Sequence, residues 1–175
     1  LFERATMLTT MENCLIDVIS EPEHFSDMLG AIADYKIALI NKICRYVHPD
    51  IIIYHDDWGT NVSTFMSPEL WRQVVKPHTK RLYDAMNAQD ITICQHSCGC
   101  VAPLVGDIVE MGAKMVDLQS SCTDLEDLSR RYGDRLFIMT NNIGGTPPPD
   151  GDHDAPPPLV AKYPAYPEKP EFLYA

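Results

Sequence analysis

Four short apolar runs, at 51–54, 91–95, 115–118 and 136–140, are separated by stretches with helical periodicity. Strand–helix alternation at this spacing needs crossover connections, and right-handed crossovers build a parallel sheet. Four such units are about half of a (β/α)8 barrel, which usually runs to about 250 residues. The predicted fold class is therefore α/β, a partial (β/α)8 TIM barrel of about four β/α units.

The first run, Asp50-Ile-Ile-Ile-Tyr54, is apolar at consecutive positions, as in strands buried on both faces of a parallel sheet. Ile91–Gln95, Met115–Leu118 and Leu136–Thr140 are the later predicted strands. Ser20-Glu-Pro-Glu23 has the form of a capping box. Behind it Phe25, Met28, Leu29, Ile32, Leu39, Ile40, Ile43 and Val47 recur at three- and four-residue steps, and Pro49 closes that helix. Ser67-Pro-Glu-Leu70 opens the next helix, with an inner stripe of Leu70, Trp71, Val74, Val75, Leu82 and Met86 and a kink expected at Pro77. A third helix runs from about Ala102 to a left-handed cap at Gly112, and a fourth from Asp124 to Tyr132, capped by Gly133.

Composition changes after Thr146: nine of the 14 prolines fall between Pro147 and Pro170. Proline fixes φ and removes a backbone donor, so such a run makes neither helix nor ladder strand. Residues 1–146 are read as the folded domain, and 147–175 as a proline-rich, irregular and disordered tail, with a recognition arm as the alternative. Residue 1 is Leu, and Leu1–Met7 opens as if already inside a folded unit. His153, between Asp152 and Asp154, reads as solvated.

Lys and Arg number 14 against 25 Asp and Glu, a net charge of −11, which argues against a nucleic-acid partner. No apolar run approaches the ~18 residues of a membrane span. Six cysteines are present without a signal peptide, and Cys94, Cys98 and Cys100 crowd too closely for disulfide staples. A cytoplasmic location follows as the expectation.

Each predicted strand ends in a polar cluster: His55-Asp-Asp-Trp-Gly59, His96-Ser-Cys-Gly99, Gln119-Ser-Ser121 and Asn141-Asn142. In a (β/α)8 barrel the chemistry collects just past the C-terminal strand ends. In an extended segment residues i and i+2 point to one side, so the His96 imidazole and the Cys98 thiolate converge. That pair is two-thirds of a zinc site.

Five stretches together resemble the uroporphyrinogen decarboxylase superfamily. They are Asp56-Asp-Trp-Gly-Thr60, Ser67-Pro-Glu-Leu-Trp-Arg72, Lys76-Pro77, His96-Ser-Cys-Gly99 and Tyr132-Gly-Asp-Arg-Leu136. The resemblance covers about residues 1–145 and is closest to the branch of corrinoid (cobalamin)-dependent methyltransferases. It implies a (β/α)8 barrel of which this chain holds a central-to-late portion. In that branch a His-x-Cys pair and a much later Cys hold zinc, which activates a thiol toward methylcobalamin. His96 and Cys98 match the first two ligands; the third has no match, since Cys100 and Cys122 are the only later cysteines and neither stands at the family's position.

The decarboxylase branch needs no metal or cofactor and relies on an aspartate in an amino-end segment with no counterpart here. His-Ser-Cys at the second strand is not its ordinary pattern, which favours methyl transfer. Both branches carry a Gly-Asn-hydrophobic-Asp turn; Asn142-Ile143 is kept, but Gly144 replaces the Asp.

Asp56 and Asp57 are adjacent and point oppositely, so at most one faces a pocket; Asp57 is read as the acid–base residue, with capping of its loop as the alternative. Asp56, Gln119 and Asn142 are assigned to substrate, and Trp58 either walls a flat macrocycle or packs. His55 is expected to support the site residues from behind or to hydrogen-bond at its strand end, His78 to lie on the surface, and Cys14, Cys44 and Cys94 to act as small buried hydrophobes. The expected function is zinc-dependent methyl transfer between a corrinoid, carried on a partner protein, and a small thiol or related acceptor. Porphyrinogen decarboxylation (porphyrin biosynthesis) and an inactive, truncated interaction fragment are the alternatives. Self-association is expected, because half a barrel leaves open sheet edges.

Overall fold

A computed structural model describes residues 1–141; Asn142 and the proline-rich segment 147–175 lie outside the described residues. Three helices precede the first strand: α1 (Phe2–Leu8), α2 (Met11–Ser20) and α3 (Pro22–Tyr46). Thr10 caps α2 by accepting the Asn13 N–H at 3.1 Å. The capping box expected at Ser20 does not form. Ser20 is the last residue of α2 and its hydroxyl donates back to the Ile16 carbonyl at 3.0 Å, so it does not cap α3, which begins behind Glu21. Phe25, Leu29, Ile32 and Ile40 are buried as their periodicity predicts, while Leu39 and Val47 are exposed.

Four strands follow, β1 (Ile51–His55), β2 (Thr92–Ser97), β3 (Met115–Gln119) and β4 (Phe137–Asn141). They pair in sequence order and all in parallel. The intervening helices are α4 (Pro68–Val74), α5 (Lys76–Asn87), α6 (Val105–Met111) and α7 (Leu125–Tyr132). Ser67 accepts the Leu70 N–H to cap α4, and the expected kink appears as the break at Val75 between α4 and α5. Gly112, at φ 107°, ends α6 in the left-handed conformation its position predicted. Gly133 follows α7 but stays right-handed, at φ −64°. The result is a four-stranded parallel sheet in β/α units, as in part of a (β/α)8 barrel.

Burial in the sheet is mostly one-sided, Cys94 of β2 being buried on the other side as well. Tyr54, Ile93, Gln95, Ser97, Val116 and Leu118 are buried, and the apolar ones and Tyr54 join a core with Phe25, Leu29, Trp71, Leu82, Met86 and Ile108 of the helices. Each large apolar side chain so buried contributes about 1.5–3 kcal/mol. On the opposite face Ile51 and Ile53 are 51% and 60% exposed. The first strand is therefore not buried on both faces: β1 is an edge of the described sheet, and the described helices pack against one side. The open face carries two rows of side chains in register. Ile53, Cys94, Met115 and Phe137 form one row; His55, His96, Asp117 and Met139 form the next, toward the C-terminal strand ends.

Cys14, Cys44 and Cys94 are buried as expected, and burial pushes the Cys94 thiol up to about 12. His78 is not a surface residue. It is half-buried where α5 meets α3, with Nε2 2.8 Å from the Ser26 hydroxyl, and Gly30 leaves room for its ring. Among the described residues no helix is long and apolar enough to cross a membrane.

Candidate functional site

The β1–β2 register places His55 opposite His96, so the loops that follow these strands emerge side by side. They are stitched together: Cys100 N–H donates to the Thr60 carbonyl at 2.7 Å, and Trp58 N–H donates to the Ser97 hydroxyl at 3.0 Å. Gly99 makes the approach possible. Its φ is +82°, and a Cβ there would stand 2.2 Å from the Gly59 carbonyl carbon.

Strand alternation brings His96 and Cys98 together as predicted, with Sγ 3.5 Å from Nε2. A tetrahedral zinc, ~2.3 Å from sulfur and ~2.0 Å from nitrogen, separates two such donors by about 3.5 Å. The pair therefore fits the ion. His96 Nδ1 lies 2.8 Å from Asp117 Oδ2. An ionised carboxylate only accepts, so Nδ1 carries the proton and the Nε2 lone pair is left facing Cys98.

Asp57 reaches the same place from β1's end. Its Oδ1 accepts the Cys98 N–H at 2.7 Å and lies 3.3 Å from His55 Nε2 and 3.9 Å from His96 Nε2. The two imidazoles meet edge to face, with centroids 4.4 Å apart. One donor atom from each of His55, Asp57 and His96 falls within 4.8 Å of the others. Cys98, Cys100 and Cys122 do not belong to that group; of its donor atoms, Cys98 Sγ approaches His96 Nε2.

The field at the site is negative. The hydrogen bond to Asp117 raises the His96 imidazole above its ordinary value against the opposing effect of burial, helped by the charges of Asp117, Asp57 and Glu3. Burial, then Asp57, raises the Cys98 thiol, with Asp117 and Glu3 adding to it. A bound cation would reverse the electrostatic part of both shifts.

Two expected site residues lie elsewhere. Asp56 is fully buried, accepting the N–H groups of Phe2 and Glu3 at 3.1 and 2.9 Å and the Trp58 indole N–H at 2.9 Å. Trp58 is 2% exposed and packs edge-on against Trp71, centroids 4.8 Å apart. Both belong to the packing beneath the loop, because alternation turns Asp56 toward the helices when Asp57 faces the open side. Neither offers a free polar atom to a substrate. Gln119 accepts the Gly99 N–H at 3.0 Å and donates to the Ser121 hydroxyl at 2.9 Å, which props the turn behind Cys98. Asn142 lies outside the described residues. Asp117 was not anticipated; a charged residue inside the otherwise apolar Met115-Val-Asp-Leu118 was the available signal.

The family model for uroporphyrinogen decarboxylase (URO-D) matches residues 2–142. No curated protein and no solved structure matches the chain. The matched span takes in all four strands and every residue of the His55–Asp57–His96–Cys98 constellation. On that span the chain belongs to the uroporphyrinogen decarboxylase family.

Proposed function

We propose that this family member transfers a methyl group between a corrinoid and a thiol or related acceptor, with zinc held at His96 and Cys98. One observation carries the reading: Sγ and Nε2 stand at zinc-ligand spacing at the C-terminal strand ends, with a carboxylate behind the imidazole. Bound zinc would supply a deprotonated, nucleophilic thiol near neutral pH. The chain's own residues arrange the rest. Asp117 fixes the His96 tautomer, Gln119 steadies the Gly99 turn, and the surrounding carboxylates favour a cation. In the transfer the acceptor sulfur forms the new carbon–sulfur bond. A corrinoid would supply the methyl group and keep the bonding electron pair, and the thiol proton would leave to solvent. A corrinoid-carrying protein would be the partner.

The family match favours a second reading, decarboxylation of a porphyrinogen, in which no step uses the His96–Cys98 pair. The two readings separate in one experiment. The full chain, supplied with zinc, methylcobalamin and a small thiol, should form the methyl thioether as methylcobalamin is consumed. His96→Ala and Cys98→Ser should abolish that product. Carbon dioxide release from uroporphyrinogen with no thioether formed would replace methyl transfer by decarboxylation.

A further inference from the structure

Two donors leave a zinc ion short of the three or four protein ligands it takes in stable sites. Neither Cys100 nor Cys122 joins the pair among the described residues, but two other donors already stand within 4.8 Å of a His96 nitrogen. They stand across the β1–β2 ladder, where the register sets His55 against His96 and the next loop carries Asp57 in to meet Cys98.

We propose that His55 and Asp57 complete the donor set, so that a first-row divalent metal is held by His55 Nε2, Asp57 Oδ1 and His96 Nε2, with Cys98 Sγ, 3.5 Å from His96 Nε2, turning in as the fourth donor. The assignment rests on the zinc reading above and converts Asp57 from an acid–base residue into a ligand. Distances support it. His55 Nε2 and Asp57 Oδ1 are 3.3 Å apart, against the ~3.4 Å that tetrahedral zinc imposes on a nitrogen and an oxygen donor. The 3.9 Å between Asp57 Oδ1 and His96 Nε2 needs a closure of only about half an ångström.

Pre-positioning supports it as well. The same Oδ1 accepts the Cys98 N–H at 2.7 Å, so the carboxylate is tied to the loop that carries the thiol. Charge is consistent too, because Asp57, Asp117 and Glu3 surround two imidazoles. The chemistry of the set selects the metal. Two imidazoles, a carboxylate and a thiolate suit zinc or cobalt, whereas magnesium and calcium call for oxygen donors. His55 is 53% exposed against 13% for His96, so it is the outermost donor and the one an incoming thiol would displace.

The test uses the full chain stripped of metal and titrated with Co2+ and, separately, Zn2+. Binding is followed by equilibrium dialysis with elemental analysis, and Co2+ coordination by its visible bands and the sulfur-to-cobalt charge-transfer band. Asp57→Asn keeps an acceptor for the Cys98 N–H while removing the anionic donor, and His55→Gln alters an exposed position. Each should weaken Zn2+ binding about tenfold or more, with the sulfur band still present in the Co2+ form at saturation. If both variants bind as tightly as the parent while His96→Ala and Cys98→Ser lose the metal, the completed set is overturned and the His96–Cys98 site stands. If the parent binds no better than His96→Ala, both fall. Circular dichroism checks the fold of each variant, and His55→Gln alone decides if Asp57→Asn does not fold.

Discussion

His96 donates its Nδ1 proton to Asp117 Oδ2 at 2.8 Å, across the β2–β3 ladder at the register point where the two residues stand opposite. The bond settles which face of the imidazole is a donor and which is a lone pair. It directs Nε2 toward Cys98 and Asp57, the arrangement in which a carboxylate orients a metal-ligating histidine from behind. Asp117→Ala should therefore weaken zinc binding by about 10- to 100-fold. Asp117→Asn should recover part of the loss, since an amide oxygen still accepts from Nδ1. Competition with a chromophoric chelator measures both, and equal affinities in all three proteins would show that Asp117 does not orient His96.

Gly99 should tolerate no side chain. Its φ of +82° alone costs an L-residue about 1–3 kcal/mol. The added Cβ would also overlap Gly59 backbone at 2.2 Å, which no rotamer relieves. Gly99→Ala should lower the urea midpoint by more than the backbone term alone and detach the two loops; an unchanged midpoint would contradict the close approach.

Trp58 should behave as a core residue and not as a substrate wall. Trp58→Ala should cost about 3–5 kcal/mol, the range for a large buried aromatic. Trp58→Phe should keep most of the packing on Trp71 but lose the indole hydrogen bond to Asp56. Chemical denaturation gives both values. A fully stable Trp58→Ala would show that the ring does not support the fold.

Acid should erode a second cluster. Burial pushes the Asp107 carboxyl up, but hydrogen bonds and charge from Arg72 and Lys76 outweigh it and hold it below the usual carboxylate range. Arg72 grips both oxygens at 3.0–3.1 Å and Lys76 donates at 2.8 Å. A carboxylate depressed in the native state adds stability that is whole above its unfolded value of about 3.9 and is lost as pH falls through the native value. Asp107→Asn should thus be less stable than the parent at about pH 7, with the gap narrowing below about pH 4. Urea midpoints at the two pH values test the sign, and a gap that widens in acid would reverse it.

Features decided within a few residues were legible in the sequence. Ser67 with Pro68, Gly112 after an apolar stripe, and the period-2 convergence of His96 and Cys98 each depend on neighbours along the chain. Where two local interactions competed, the sequence was ambiguous: Ser20 had the pattern of an N-cap but bonded back into α2. Alternation showed that Asp56 and Asp57 point oppositely, and the packing of α1 and Trp58 decided that Asp56 is the buried one.

By itself, then, the sequence determined a parallel α/β chain of four units and one pair of soft donors at a strand end, because helical and strand periods are local properties. Only the tertiary structure decided what surrounds that pair. Asp57 lies 41 residues from Cys98 and Asp117 lies 21 from His96, and no periodicity along one strand specifies which residue of the next will stand beside it. Strand register does, and it is fixed by the helices packed against the other face of the sheet.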